Sequence, residues 1–310
     1  MNKCLYCYKS IDHEADFHEK CALEFFGNKT VPKIDYTLDQ MSELAKNIVE
    51  RSISVPGVQP KLSMSLENIN KTKDQRLTIV GALGGNYILK PPNRNFPEMP
   101  ENEHLTMLMA NAFSINTVPS SLIRLKSKEL SYITKRIDRT PTGQKIHMID
   151  MFQITEAFDK YKSSMEKIGK AINKYATNTL LDKLFYFELT VFSYLTGNND
   201  MHLKNFSFIK TNIGWSLSPA YDLLNVTIVN PDDNEELALT LSGKKKNLKK
   251  EHFVNFGMGL GLNFKQINAV FQRFEKNKPK AVDLVEKSFL SKNMKKKYLH
   301  ILEERYSKLN

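Results

Sequence analysis

The sequence predicts an α+β protein with two lobes, the first rich in strands and the second rich in helices. Short β-type runs occupy much of residues 59–136, whereas most of the second half has helical periodicity. The segment Leu180–Leu195 is apolar on nearly every side, which is typical of a buried helix. We therefore predict a small Cys/His unit over residues 1–29, a strand-rich N-lobe over 30–140 and a helical C-lobe over 141–310.

Capping residues and periodicity place the elements of the first lobe. Thr37 and Gln40 form a capping box that opens a helix ending near Arg51. One further helix is predicted near Glu103–Ala112. The predicted strands are Lys61–Leu66, Leu77–Leu83, Tyr87–Leu89, Leu122–Leu125 and Leu130–Thr134.

The second lobe continues after its buried helix with a polar loop that begins at Gly197. Two strands, Phe206–Ile209 and Trp215–Leu217, follow this loop. Three helices are predicted to close the chain, the first carrying an apolar face from Phe264 to Phe274 and the last beginning at a Ser291 cap.

Composition narrows the class of protein. The chain has 310 residues, 41% of them hydrophobic, and can bury a large core. No stretch has the roughly 20 apolar residues of a membrane span, and the first residues lack the apolar core of a secretory signal, so a cytoplasmic location and no membrane partner are expected. A formal charge of +11 favours acidic or phosphate-rich partners, although a basic helix face exposed to water accounts for part of it equally well.

The segment 197–206 carries the strongest chemical signal. Asp200 and Asn205 are five positions apart, the spacing of a kinase catalytic loop, in which the Asp accepts a hydroxyl proton and the Asn binds Mg²⁺. Asp222 follows the predicted strand pair and offers a second carboxylate, a hard oxygen ligand suited to Mg²⁺. Taken alone, the spacing is also met by Asp and Asn side chains that bond their own loop backbone.

Residues upstream fit a nucleotide site. Lys90 ends a β run, from which a kinase lysine reaches the nucleotide phosphates, and Glu103 in the next helix is its expected ion-pair partner. The segment Ser54–Lys61 lies between a helix and a strand, where small residues present backbone N–H groups to phosphates. Ser52 and Ser54 stand where phosphorylation would alter that loop. The simpler interpretations are an ordinary turn for the segment Ser54–Lys61 and a surface side chain for Lys90.

The first residues contain a candidate metal site. Cys4, Cys7, His18 and Cys21 form two close pairs, the arrangement of a structural Zn²⁺ site, with His13 as a substitute ligand. Three thiolates and one imidazole would complete a tetrahedral shell, so such a metal would stabilise the fold and take no part in catalysis. Free thiols without a metal are the alternative.

Together these motifs resemble the HipA kinases, and more closely the short HipT branch. The resemblance covers most of the chain from Ser54 onward. It rests on the segments Ser54–Lys61, Asn86–Pro91, Glu101–Glu103, Lys135–Arg139, Gly197–Phe206 and Pro219–Asp222.

The resemblance implies an ATP- and Mg²⁺-dependent serine/threonine protein kinase with a two-lobed fold related to the phosphoinositide kinases. It implies Asp200 as catalytic base, Asn205 and Asp222 as Mg²⁺ ligands, and Ser54, with Ser52 second, as autophosphorylation site. The implied ATP-site residues are Pro56, Gly57, Val58, Gln59, Lys61, Lys90, Glu103, Lys135, Arg136, Ile137, His202, Lys204 and Tyr221.

The same resemblance implies a toxin of a toxin–antitoxin system whose substrate is an aminoacyl-tRNA synthetase. Only 53 residues precede Ser54, fewer than in HipA kinases, so a HipS-like protein that supplies the missing subdomain and a HipB-like DNA-binding protein are the implied partners. DNA would then be contacted only indirectly. Lys135 and Ile137 depart from the family's adenine-contact residues.

Two other classes of function compete with a kinase. A catalytically silent scaffold in a DNA-bound repressor complex would use the basic charge but has no need of the Asp, Asn and Lys set. A metallophosphoesterase would need its Asp-x-His element before its Gly-Asn element and more histidines than His252 and His300 after His202.

Overall fold

The computed structural model describes residues 2–11, 14–51, 61–68, 75–80, 84–93, 95–140 and 142–309, with the backbone alone for 45–51. These residues divide into two compact units. Unit 1 comprises Met1–His104, Val118–Lys145 and Lys287–Phe289, and unit 2 comprises Leu105–Thr117, Ile146–Glu286 and Leu290–Asn310. Over the described ranges, no helix has both the length and the apolar character needed to span a membrane.

Unit 1 is built on a five-stranded antiparallel sheet. Its strands are β3 (Leu62–Asn68), β4 (Gln75–Ile79), β5 (Tyr87–Lys90), β6 (Ser120–Arg124) and β7 (Leu130–Lys135), after the short hairpin of β1 (Asn2–Lys3) and β2 (Ser10–Ile11). The order in the large sheet is β4-β3-β5-β7-β6, so β5 is central. Leu89 of β5 is fully buried, as expected of a central strand.

Three helices accompany this sheet: α1 (Glu19–Phe26), α2 (Leu38–Arg51) and α3 (Met99–Ala112), whose last part belongs to unit 2. The capping box predicted at α2 is confirmed, because the Thr37 N–H donates to Gln40 Oε1 at 2.9 Å and the Gln40 N–H donates to Thr37 Oγ1 at 3.4 Å. The strand predicted to run to residue 83 ends at Ile79, and residues 81–83 lie outside the described ranges.

Unit 2 combines helices with a three-stranded antiparallel sheet of order β10-β9-β8. Its strands are β8 (Met148–Asp150), β9 (Ser207–Thr211) and β10 (Gly214–Leu217). Its helices are α4 (Met151–Ile154), α5 (Met165–Tyr175), α6 (Thr179–Leu195), α7 (Lys250–Gly259), α8 (Phe264–Lys287) and α9 (Lys292–Leu309).

Helix α6 is the core of unit 2, as its composition predicts. Tyr186, Phe187 and Phe192 are fully buried in it. Tyr186 packs edge-on against Phe206 with ring centroids 5.3 Å apart, and Phe192 packs against Phe113 at 5.6 Å. This packing fixes the end of α6, and with it the point at which the following loop begins.

The prediction for the end of the chain was wrong in one respect. The helix that begins at Phe264 is the second of three closing helices, because α8 continues through Pro279 to Lys287 and α7 precedes it. Buried residues on both sides of the proline, among them Phe274 and Val285, keep one face of α8 packed, and this packing outweighs the cost of an internal proline. The predicted Ser291 cap is present, since Ser291 Oγ accepts from the Met294 N–H at 3.3 Å.

Candidate active site

The loop 197–206 is anchored at the end of α6. Gly197 has φ of +65°, a conformation that suits glycine. A Cβ added there would lie 2.9 Å from both Asn225 Oδ1 and Ile301 Cγ2. The Gly197 carbonyl accepts the N–H groups of Val226 and Thr227 at 3.0 and 3.1 Å. The start of the loop is thus held by a buried helix and by a neighbouring segment.

Asp200 and Asn205 are joined within this loop. Asn205 Nδ2 donates to the Asp200 carbonyl at 2.9 Å, and Asn198 Oδ1 accepts the Asp200 N–H at 3.4 Å. Asn205 is therefore bonded to the loop backbone, as the simpler interpretation expects, and within the described part of the chain this bond uses its amide nitrogen and not its oxygen. Its oxygen, Oδ1, is the atom suited to a cation.

The Asp200 carboxylate contacts a residue that sequence reasoning missed. Tyr161 donates its hydroxyl hydrogen to Asp200 Oδ1 at 2.6 Å, and the Tyr161 ring meets the His202 ring edge-on with centroids 5.0 Å apart. Burial and the Asp200 hydrogen bond raise the pKa of Tyr161, so the phenol remains a donor at neutral pH. Tyr161 lies in an irregular segment 39 positions before Asp200, and no periodicity or motif marks it.

Asp222 lies beyond β10 in a backbone conformation uncommon among residues other than glycine. Its φ is +60°, the left-handed region, and such conformations are often found at functional sites. The adjacent Tyr221 is tightly held: its hydroxyl donates to the Lys204 carbonyl at 3.0 Å and lies 2.5 Å from Ser207 Oγ. Tyr221 thereby connects the segment bearing Asp222 to the end of the loop.

His202 lies close to both carboxylates. Its side chain is 6% exposed, and Nδ1 is buried with no hydrogen-bond partner among the described residues. Burial lowers the pKa of His202, while the Asp200 and Asp222 carboxylates oppose that shift. Asp200, His202 and Asp222 thus form one electrostatically connected group in unit 2. His202 is neutral at pH 7 on this account.

A second group of predicted residues lies in unit 1. Lys90 Nζ, at the end of β5, is 2.6 Å from Glu103 Oε1 of α3, and the two side chains are 4% and 1% exposed. Lys90 also lies 5.3 Å from the centroid of the Tyr132 ring. The expected ion pair is therefore formed, and its burial means that neither charge is a surface feature.

The three consecutive residues Lys135, Arg136 and Ile137 were predicted to line the nucleotide site, and two of them make contacts within unit 1. The Arg136 guanidinium forms a bidentate pair with Asp138 at 2.9 and 2.8 Å and also donates to Ser63 Oγ at 3.1 Å. Lys135 Nζ lies 3.4 Å from the Glu24 carbonyl of α1, and Ile137 is half-buried. Both cationic side chains thus hold unit 1 together, and their proposed nucleotide contacts remain predictions.

Several predicted residues carry little structural information. Ser52, Ser54, Pro56, Gly57, Val58 and Gln59 lie outside the described ranges, as does the substitute ligand His13. Lys61 is exposed just before β3. Lys204 is exposed in the loop, with Nζ 4.9 Å from the centroid of the Phe152 ring.

The structure brings the four candidate metal ligands together. The ligand atoms of Cys4, Cys7, His18 and Cys21 all lie within 4.8 Å of one another. Hydrogen bonding to Cys7 lowers the pKa of the Cys4 thiol to about 4, and burial raises the pKa of Cys21 to about 11. This cluster belongs to unit 1 and is the one group of three or more potential metal ligands found in the described part of the chain.

Two solved kinases share this fold, which is kinase-like. HipA of the Shewanella oneidensis MR-1 toxin–antitoxin complex with HipB and operator DNA matches with a TM-score of 0.65 and 21% identity, covering 82% of this chain and 64% of that one. The Helicobacter pylori proinflammatory kinase CtkA matches with a TM-score of 0.55 and 16% identity, covering 75% and 90%.

A family model identifies the family of the chain. The HipA-like C-terminal domain matches residues 53–282, and the chain belongs to this family. A putative kinase of Haemophilus influenzae is 29% identical over 69% of this chain and 69% of its own length. The serine/threonine-protein kinase toxin HipA of Shewanella oneidensis is 24% identical over 74% of this chain and 56% of its own length. The chain thus spans roughly half to two thirds of these relatives.

Proposed function

We propose that this chain is a serine/threonine protein kinase of the HipA type that uses ATP and Mg²⁺. The observation that carries the proposal is the arrangement in unit 2. Asp200 and Asn205 share a loop anchored to a buried helix, and the carboxylates of Asp200 and Asp222 both interact electrostatically with His202. The name of the Shewanella HipA relative, a serine/threonine-protein kinase toxin, supports the same activity.

The reaction assigns a separate task to each group. Asp200 accepts the proton of a substrate hydroxyl as that oxygen bonds to the γ-phosphorus of ATP. The bond between the γ-phosphorus and the bridging oxygen breaks, and ADP leaves with its electron pair. Tyr161, which donates to Asp200 Oδ1, orients the carboxylate for this step. Lys90 contacts the phosphates, and Glu103 orients Lys90.

The residues of unit 2 fit a magnesium ion. Asn205 Oδ1 and the Asp222 carboxylate are hard oxygen donors, which this cation prefers over nitrogen or sulfur. When bound, Mg²⁺ neutralises charge that develops on the phosphate oxygens. The positive φ of Asp222 directs this residue differently from an ordinary loop aspartate, which is consistent with a binding role.

The decisive experiment is phosphate transfer by purified protein first treated with a phosphatase, which is then removed. Wild type incubated with radiolabelled ATP and Mg²⁺ is expected to label itself or a protein substrate. Asp200→Asn and Asp222→Asn are each expected to lose this activity while keeping the wild-type circular dichroism spectrum. The exposed Asp35→Asn serves as the control and should remain active. Equal labelling by wild type and both site variants would show that these carboxylates do not serve the reaction.

We also propose that Ser54, with Ser52 second, is the site of autophosphorylation. Mass spectrometry of the labelled chain should locate the phosphate, and Ser54→Ala should remove most of it. Phosphate at neither serine in an active wild-type protein would contradict this assignment.

The proposed substrate is an aminoacyl-tRNA synthetase, and the proposed partners are a HipB-like DNA-binding protein and a HipS-like protein in a toxin–antitoxin system. The Shewanella structure, in which HipA is assembled with HipB and operator DNA, supports the HipB-like partner. A phosphoproteomic comparison of cells that express wild type or Asp200→Gln tests the substrate directly. A single wild-type-dependent phosphoserine on a synthetase is expected, and phosphosites confined to other proteins would refute it.

The second candidate is a catalytically silent scaffold in a DNA-bound repressor complex. The charge of +11 and the HipB–DNA complex of the structural neighbour favour it. A scaffold predicts no Mg²⁺-dependent stabilisation by ATP, whereas a kinase predicts one. The Lys90–Glu103 pair favours the kinase, because protein kinases hold their phosphate-binding lysine with a helix glutamate in this way.

A further inference from the structure

The N-terminal Cys/His cluster is compact, with its four ligand atoms within 4.8 Å of one another. His18 Nδ1 is 3.5 Å from Cys7 Sγ and 3.7 Å from Cys21 Sγ. Zinc bonds of about 2.3 Å to sulfur and about 2.0–2.1 Å to nitrogen put neighbouring ligand atoms about 3.6 Å apart in a tetrahedron. These two nitrogen–sulfur separations agree with that edge length, although they fall within reach of thiol–imidazole hydrogen bonds as well.

The orientation of His18 is the one that a metal-binding histidine needs. His18 Nε2 lies 3.0 Å from the Ser10 carbonyl, an acceptor, so Nε2 carries the ring hydrogen and donates. The lone pair then belongs to Nδ1, the atom directed at the sulfurs. A metal-binding histidine characteristically donates its other ring N–H to a backbone carbonyl, which fixes the tautomer in this way.

The backbone also arranges the ligands from separate segments. The Tyr8 N–H donates to the Cys4 carbonyl at 3.0 Å, which closes a turn around the Cys4–Cys7 pair, and Tyr8 has φ of +61°. Cys21 comes from the first turn of α1, and His18 is the residue that precedes this helix. Cys4 is fully buried. A turn and a helix thus bring three thiols and one oriented imidazole to one place, which is the arrangement of a shared metal-ligand set.

We propose that Cys4, Cys7, His18 through Nδ1, and Cys21 bind one structural Zn²⁺ ion. Three sulfurs and one nitrogen in a closed tetrahedral set are typical of zinc and leave no position for water or substrate. The ion stabilises the fold and takes no part in phosphate transfer, so this inference is independent of the proposed kinase activity.

The proposed ion fixes the position of α1 against the central strand of unit 1. The Phe25 ring of α1 lies 5.9 Å from the Tyr87 ring of β5, and the Phe26 ring lies 6.1 Å from it. Tyr6, between the first two cysteines, donates its hydroxyl hydrogen to Glu24 Oε1 at 2.7 Å. Loss of the metal should therefore loosen α1 and its aromatic contact with the strand that ends at Lys90.

The test begins with the full wild-type chain, purified without added chelator. Native mass spectrometry and elemental analysis are expected to find one zinc ion per chain. Replacement by Co²⁺ should produce the intense near-ultraviolet thiolate band and the visible bands of a tetrahedral site. The three cysteines should resist alkylation until a strong zinc chelator is added, and the chelator should lower the Tm of the wild type.

Variants separate the ligand set from general metal contamination. His18→Ala and Cys7→Ser are expected to lose the zinc, whereas His300→Ala, a change at an exposed histidine of α9, should retain it. If a variant fails to fold, the wild-type measurements still decide the question. Wild type without zinc, with three freely alkylated thiols or with a mass lower by two hydrogen atoms from a disulfide, would overturn the proposal.

Discussion

At the scale of single residues, Tyr161 is the contact that most directly affects the proposed chemistry. Its hydroxyl lies 2.6 Å from Asp200 Oδ1, the carboxylate that accepts a proton in the proposed reaction. We class Tyr161 as a positioning residue, because its contact to the reaction passes through Asp200.

Tyr161→Phe removes that hydrogen bond and keeps the ring against His202. We expect kcat to fall about tenfold, since one hydrogen bond to a charged group contributes roughly 1.5–3 kcal/mol and only part of it bears on the transition state. KM for ATP should change little. Steady-state kinetics with Tyr175→Phe, a change at another partly exposed tyrosine, as the control checks this, and an unchanged kcat would remove Tyr161 from the mechanism.

The buried pair Lys90–Glu103 connects stability with function. Lys90→Met leaves the Glu103 carboxylate buried without its cation, which should cost about 3–5 kcal/mol of unfolding free energy. The double variant Lys90→Met/Glu103→Leu should recover much of this loss, because two apolar side chains replace the pair. Urea unfolding measures both, and Arg76→Met, which breaks an exposed ion pair with Glu67, should cause little change.

The same variants test the proposed role of Lys90. The double variant is expected to fold but to gain no stability from ATP, since its phosphate contact is missing. ATP binding as tight as that of wild type would restrict Lys90 to a structural role.

At the scale of elements, the junction between α6 and the loop depends on Gly197. Gly197→Ala should lower the free energy of unfolding by at least about 1 kcal/mol, because the residue has positive φ and the new Cβ would press on Asn225 and Ile301. Gly259→Ala is the matched control, because among the described residues no atom beyond its chain neighbours and its own helix backbone lies within 4 Å of the added Cβ. Equal losses of stability in urea unfolding for the two variants would contradict this account.

Prediction from sequence succeeded where local signals are strong. The length and composition of α6 indicated a buried helix, which the structure contains. Asp200 and Asn205 could be selected because they are close in sequence, and their catalytic roles stay predictions. Strand β8 was missed, since three residues are too few for alternation to be recognised. Tyr161 was missed because its contact with Asp200 depends on the tertiary fold, and the division of the closing helices failed because packing overrides Pro279.

At the scale of the whole molecule, ligand binding should appear as added stability of the folded chain. A ligand that binds only the folded state at 100 times its Kd adds about 2.7 kcal/mol to the free energy of unfolding. A non-hydrolysable ATP analogue with Mg²⁺ should therefore raise the Tm of phosphatase-treated wild type. The scaffold alternative predicts no such increase.

Two variants separate the proposed role of Asp222 in binding the cation from the proposed role of Asp200 as the base. Asp222→Asn removes a charged ligand of the cation and should abolish most of the Mg²⁺-dependent rise in Tm. Asp200→Asn removes the base and should keep most of that rise while phosphate transfer is lost. Magnesium must be omitted in the control and not removed with a chelator, because a chelator would also act on the Cys4, Cys7, His18 and Cys21 cluster. Equal stabilisation of wild type and Asp222→Asn would contradict Asp222 as a metal ligand, and loss of stabilisation in Asp200→Asn would give Asp200 a part in binding the nucleotide.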